Sequence, residues 1–392
     1  MGHDHGATRL DIDVDDRIRR GMWAAVVVCA VGVIIGLIVL WPSRSNSGSD
    51  PLGLDGDPIT AQVTSQAVEP CSYDPLLGCR QIELIPNSGA YVGERLTFEQ
   101  SLNSPIRGGD SILVDVVIQD GGSPLIYFYD FERSTPLLLL LLVFVTAIVV
   151  LGRWRGVGAL AGLAVSLVVI VGFILPALLE GSNALAVALV ASGLIAFVAL
   201  FLAHGFNLAT AAALLASIAS LALTAVLAWL FVVTSKLTGL ADETVGYLSA
   251  LSSDINPQGL LLAGVVIGSL GVLDDVTVTQ VSAVWELKHA KPDSNFTELY
   301  NRALRIGRDH ISSTVNTLFL AYAGASLPLL LLFSEAGQSL SSVATREIVA
   351  VEVVRALVGS IGLVASVPIS TALAAATLAS RSRPADEVPA EA

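Results

Sequence analysis

Charged side chains are scarce in this chain. Asp, Glu, Lys and Arg together make up 14% of its 392 residues, against about a quarter in ordinary soluble domains. That scarcity excludes a conventional water-soluble fold. Basic residues are fewer than acidic ones, 21 Lys and Arg against 34 Asp and Glu, and no basic tract carries interleaved aromatic residues. Nucleic acid is therefore excluded as a partner. Cysteine is confined to Cys29, Cys71 and Cys79, too few for a disulfide scaffold. The runs G-x-S-x-G, H-E-x-x-H, C-x-x-C and the phosphate-cradling P-loop are all missing. Their absence leaves no activated nucleophile and no metalloprotease or nucleotide site to assign. No enzymatic activity, cofactor or metal is expected.

What fills the chain is apolar. Hydrophobic residues account for 54%, and the mean hydropathy is +0.73. These values point to a polytopic α-helical membrane protein. Residues 1–21 read as a cytoplasmic solvated tail, and nothing there fixes His3, Asp4 and His5 into metal-ligand geometry. Residues 22–41 form a first transmembrane helix behind Arg17, Arg19 and Arg20; the run is too long for a signal-peptide core and ends at Trp41 and Pro42 without a small-residue cleavage site. Cys29 inside it is a small apolar residue.

Residues 42–134 change character. A Ser- and Gly-rich linker leads into short alternating runs at Gln81–Ile85, Arg95–Phe98, Ile112–Ile118 and Ile126–Phe131, separated by turn signals near Asn87, Asn103, Arg107 and Asp120. About five strands are expected, folded as a small extracytoplasmic β domain of barrel or OB-like form. Cys71 and Cys79 at its start suit a disulfide better than a metal pair, since no histidine lies nearby.

Residues 135–379 form the membrane domain and 380–392 a cytoplasmic tail. Seven further apolar segments run from Pro136 to Leu151, Val157 to Leu179, Ala184 to Ala203, Leu208 to Thr234, Gln258 to Trp285, Ile311 to Phe333 and Ile348 to Leu378. With the first, about eight transmembrane helices are expected. Lys and Arg concentrate in alternate connections, including Arg153, Arg155, Lys288, Lys291, Arg302, Arg305 and Arg308, which places both termini in the cytoplasm and the β domain outside. The basic stretch from Lys288 to Arg308 is amphipathic, with Phe296, Leu299, Ala303 and Ile306 on one face, and reads as a helix on the cytoplasmic membrane surface.

The segment from Pro257 to His289 holds the strongest chemical signal. Its first seventeen residues carry no charge; Asp274 and Asp275 follow side by side, and the apolar run resumes to Trp285. Intramembrane acids are costly, at about 2.5–3.5 kcal/mol each on the insertion scale, and mark functional sites by default. At 100° per residue, Gly264, Gly268, Gly271, Asp275, Thr279, Ser282 and Glu286 share one stripe. The stripe is expected to face the bundle interior, as a polar path or as a small-residue seam around one buried acid. Later spans add Asp309, Ser313, Asn316 and Thr317, then Glu352 and Arg355. Glu352 and Arg355 either pair with each other or leave Arg355 to balance Asp275 or bind an anionic headgroup. Intramembrane aspartyl-protease chemistry is disfavoured, because it needs carboxylates brought face to face from two helices and not neighbours splayed by about 100°.

The runs GVVIGSLGVLDDVTVTQVSAVWEL, RIGRDHISSTVNTLFLAYAGASLPLLLLF and EIVAVEVVRALVGSIGLVASVPIST resemble the YibE/F-like bacterial membrane proteins. That resemblance implies a multi-pass protein of the bacterial plasma membrane with an extracytoplasmic domain. In the family one Asp follows the glycine-rich run, at the position of Asp275, while Asp274 stands where an apolar residue is common.

The leading expectation is a permease for a small solute or ion. Asp275, with Asp274 or Glu286, exchanges a proton or cation, and Thr279, Ser282, Asn316 and Thr317 line the path. The alternative is a non-transporting scaffold or assembly protein that acts through the β domain. Partners on the first reading are membrane lipids and the solute, with room for a homo-oligomer.

Overall fold

The computed structural model describes residues 14–43, 58–72, 74, 76–89, 91–117, 125–251, 254–335, 337 and 339–379. His3, Asp4 and His5, most of the Ser-rich linker, Ile118, the turn at Asp120 and the C-terminal tail lie outside them. The chain divides into two compact units, Ser47–Val150 and the remainder, Met1–Asn46 with Leu151–Ala392.

In the first unit, strands β1 (Ile59–Pro70), β2 (Gly78–Pro86), β3 (Leu96–Ser101), β4 (Ser111–Val117) and β5 (Leu125–Phe131) form one antiparallel sheet in the order β3-β2-β1-β4-β5. Alternation along the strands sends Ala61, Val63, Ile82, Leu84, Phe98, Ile112 and Val114 to one face, where Ile106 joins them in a buried core. The sheet is not a closed barrel: the ladder ends at β3 on one side and β5 on the other. The sequence runs show the strands, but closure depends on pairing between the first and last, which no local pattern specifies. Cys71 and Cys79, both buried, are disulfide-bonded across the β1–β2 connection.

The helical elements are α1 (Asp16–Leu40), α2 (Ser134–Val169), a π-helical turn at Ile170–Ile174, α3 (Leu175–Leu179), α4 (Ala184–His204), α5 (Leu208–Thr234), α6 (Glu243–Leu251), α7 (Pro257–Ala290), α8 (Phe296–Ala325), α9 (Leu327–Glu335), α10 (Leu340–Ala344) and α11 (Glu347–Leu378). Asparagines start four of the long ones. Asn183, Asn207, Asn256 and Asn295 each accept a backbone N–H from the first turn of α4, α5, α7 and α8. Pro257 occupies the first turn of α7, where its missing N–H costs nothing.

Among the described residues, six helices are long and apolar enough to cross a membrane, or seven if the pair α8–α9, bent by 59°, is one span. About eight are expected from the sequence, and the difference lies in one 46-residue segment that is counted once. The two expected at Pro136–Leu151 and Val157–Leu179 fall within one helical segment, Ser134–Leu179, which departs from helical geometry at Arg153 (φ 50°, ψ −132°). The connection expected at Arg153 and Arg155 is thus a kink between two helices, with helical residues on both sides of Arg153. The basic stretch also differs from expectation. Phe296–Arg308 is no separate surface helix but the first half of α8, with Leu299, Ala303 and Gly307 buried against protein.

The centre of the second unit is a three-helix core of α5, α7 and α11. Contacts at Gly264 with Arg355, Ser269 with Gly359 and Gln280 with Thr371 advance together along α7 and α11, so these two helices run parallel. Contacts at Gly362 with Thr224 and at Thr277 with Ser217 run in opposite order along α5, which is therefore antiparallel to both. Small residues set the spacing: the Cα of Gly362 faces Thr224, and Gly259 faces the Cβ of Ala184 on α4.

Candidate functional site

Neighbouring residues on a helix point about 100° apart, so Asp274 and Asp275 cannot share an environment. Asp275 is exposed. Asp274 turns toward the core, among Leu273, Val276, Thr277 and Gln280, all buried. Its carboxyl oxygen Oδ1 is sealed from solvent and has no hydrogen-bond partner.

Hydroxyl groups line this side of α7. Thr277 donates to the Asp274 carbonyl at 3.1 Å and shares a 2.7 Å hydrogen bond with Ser217 of α5. Ser217 also lies against the Asp274 carboxyl. Further along α5, Ser220 and Thr224 are fully buried; Thr224 donates to the Ser220 carbonyl at 2.8 Å, and the Ser220 hydroxyl has no partner. On α11, Ser366, Ser370 and Thr371 are fully buried and donate to carbonyls of their own helix at 2.6–2.7 Å. Gln280 donates to the Thr371 hydroxyl at 2.7 Å and to the Ala303 carbonyl of α8 at 2.8 Å. A hydroxyl bonded back to its own helix keeps free lone pairs on its oxygen. The core of α5, α7 and α11 thus carries a seam of oxygen acceptors with one incompletely bonded carboxyl beside it. A carboxyl oxygen held in an apolar core without a partner is costly.

The predicted stripe lies elsewhere. Gly264, Gly268, Gly271, Asp275, Thr279, Ser282 and Glu286 are all exposed, which corrects the expectation that they face the interior. No backbone approaches these glycines: a Cβ at Gly271 would meet nothing within 4 Å, one at Gly264 would meet only Arg355 Nη2 at 3.8 Å, and one at Gly268 only Tyr322 Oη at 3.4 Å. They therefore form no tight seam either. Three-and-four spacing identifies a stripe but not which side of the helix its neighbours cover. Thr279 donates to the Asp275 carbonyl at 2.8 Å. Asn316 and Thr317 are exposed on α8, Thr317 donating to the Ser313 carbonyl at 3.0 Å, and neither joins Asp274. Glu352 and Arg355 are paired at 2.9 Å, both side chains about a quarter to a third exposed. Arg355 lies beside Gly264, three helical turns before Asp275, and does not balance that acid.

The residues missed by sequence reasoning are Ser217, Ser220 and Thr224, together with Thr277, Gln280 and Thr371. Their signal was present on α5, where the three hydroxyls recur at spacings of three and four in an otherwise apolar span.

The model of the YibE/F-like protein family matches residues 140–380, well over half of the chain. The chain belongs to that family. The match takes in α4 to α11, and with them every residue of the hydroxyl seam, and begins after the β domain, so the family relation concerns the membrane part. No curated protein and no solved structure matches the chain.

Proposed function

We propose that this YibE/F-like protein is a non-enzymatic permease that moves a small solute or ion, with Asp274 as the group that takes up and releases a proton or cation. The single observation that carries this reading is the sealed, unbonded Oδ1 of Asp274 beside Ser217 and Thr277. Ionisable groups at membrane depth are retained where they bind or relay charge. Hydroxyl oxygens along α5 and α11 extend the polar lining, with Pro368 of α11 as a point where helix hydrogen bonding is interrupted. Asp275, Thr279, Ser282 and Glu286, on the open face, are assigned no part in this step.

With Ser134–Leu179 crossing twice, on either side of Arg153, the Lys and Arg distribution supports a bacterial plasma-membrane orientation with both termini cytoplasmic and the β domain outside. The experiment is flux of protons and candidate cations in sealed vesicles containing the full chain. Asp274→Asn is expected to abolish flux with membrane insertion intact, and Asp275→Asn to leave it. Full flux in Asp274→Asn overturns the assignment. A protein lacking Ile59–Phe131 is expected to keep its flux, whereas a scaffold acting through the β domain loses its whole activity on that deletion.

A further inference from the structure

We propose that Arg355, Tyr322 and the glycine face of α7 form a binding site for an oxyanion, a carboxylate or phosphate group, three helical turns from Asp274. The proposal does not depend on transport, because binding is measured without flux.

Arg355 lies about 12 Å along α11 from its first residue, at 1.5 Å per residue. A guanidinium at that depth costs about 2.5–3.5 kcal/mol on the insertion scale. Glu352 offsets this only in part. It accepts from Nη1 at 2.9 Å and leaves Nε, which is sealed from solvent and has no hydrogen-bond partner. Nη2 is turned toward α7 at Gly264, 3.8 Å from where a Cβ would stand. One turn on, the Tyr322 hydroxyl of α8 lies 3.4 Å from the corresponding position at Gly268. Three helices thus bring an arginine and a phenol to a floor with no side chains, and both glycines are exposed.

The chemistry that fits follows from the arginine. Nη2 is the nitrogen turned to the glycine floor, where it would give a carboxylate or phosphate oxygen a charge-assisted N–H bond; Nε, on the same edge of the guanidinium, becomes a second donor to that ligand once the atoms sealing it move aside. Tyr322 supplies a third donor. Glu352, on Nη1, holds the guanidinium in place and is also the nearest competing anion, so it lowers affinity for any ligand. A purely structural ion pair makes the opposite demand on Glu352: removing it would only weaken the junction.

The test uses the full chain in nanodiscs of zwitterionic lipid, its thermal unfolding followed as inorganic phosphate or acetate is added at constant ionic strength. A second arm replaces the added anion with an anionic phospholipid. Saturable stabilisation is expected in at least one arm; the first identifies a free anion and the second a lipid headgroup as the source. Arg355→Gln and Arg355→Lys are expected to weaken the affinity about tenfold or more, as for loss of charge-assisted hydrogen bonds. Tyr322→Phe is expected to weaken it by a smaller factor, and Glu352→Gln to tighten it. These two variants keep the test decisive should the arginine variants fail to fold. No saturable stabilisation in either arm overturns the proposal, as does an affinity unchanged by Tyr322→Phe and lowered by Glu352→Gln.

Discussion

Gln280 of α7 donates a 2.7 Å hydrogen bond to the Thr371 hydroxyl of α11, and both side chains are buried. The same nitrogen donates to the Ala303 carbonyl of α8, and the missing side chain of Gly307 leaves room for the Gln280 amide oxygen. One residue thus ties three helices together close to Asp274, and its position explains why a fully polar amide is kept in the apolar core.

Gln280→Leu removes two buried hydrogen bonds, to the Ala303 carbonyl and to the Thr371 hydroxyl, both of which keep a partner within their own helix. A loss of about 1–3 kcal/mol is expected, at about 0.5–1.5 kcal/mol for each bond. Gly307→Ala drives a Cβ into Val367 and the Gln280 amide and is expected to cost about 1–3 kcal/mol by overpacking. Unfolding of both single variants and the double in detergent checks this. The two effects should fail to add, since the sites touch.

Glycines of the exposed face and of the core should respond in opposite ways. Gly362→Ala places a Cβ onto Thr224 and is expected to destabilise by about 1–3 kcal/mol. At Gly271 nothing lies within 4 Å of an added Cβ, so Gly271→Ala should be neutral or stabilising by up to about 1 kcal/mol, the helix preference of Ala over Gly. Comparing the melting of the two variants decides it; equal losses would show that another surface covers the Gly271 face.

The disulfide between Cys71 and Cys79 closes a short loop at the end of the β1–β2 pair, with a sequence separation of 8. Replacing both with Ser is expected to remove about 2–3 kcal/mol by restoring unfolded-state freedom. Faster limited proteolysis within Ile59–Phe131, with the helices unaffected, is the readout.

Acid should weaken the same domain. The Ser65 hydroxyl, and then Arg95, hold the Glu83 carboxyl below its ordinary value, and Arg133 with the Phe131 N–H do the same for Asp130. A lowered folded-state value means that the contribution is present above the unfolded-state value of about 4 and disappears as pH falls through the folded one. The stability difference between Glu83→Gln and the parent chain should therefore be measurable at pH 6 and shrink as the pH falls below the unfolded-state value of about 4.

Much of this architecture is legible in the residues. Runs such as Leu208–Thr234 are long and apolar enough to declare themselves as helices, because a backbone in lipid must satisfy its own hydrogen bonds. Asn183, Asn207, Asn256 and Asn295 mark helix starts because only a short polar side chain there accepts the free N–H groups. The alternation in β2 and β4 announces strands because successive side chains in an extended chain point to opposite faces.

What the tertiary structure decided is which side of each element is covered. Sequence periodicity alone sorted Asp274 and Asp275 onto different stripes, and the glycines beside Asp275 made that stripe look like the inner one. The buried side is the other, because Ser217, Ser220 and Thr224 of α5 and Ser366, Ser370 and Thr371 of α11 pack against it. Those neighbours are distant in the chain, and so are the edge strands β3 and β5 that leave the sheet open. Local residues determine a segment's conformation and periodic faces; burial of a face is a property of what the rest of the chain brings to it.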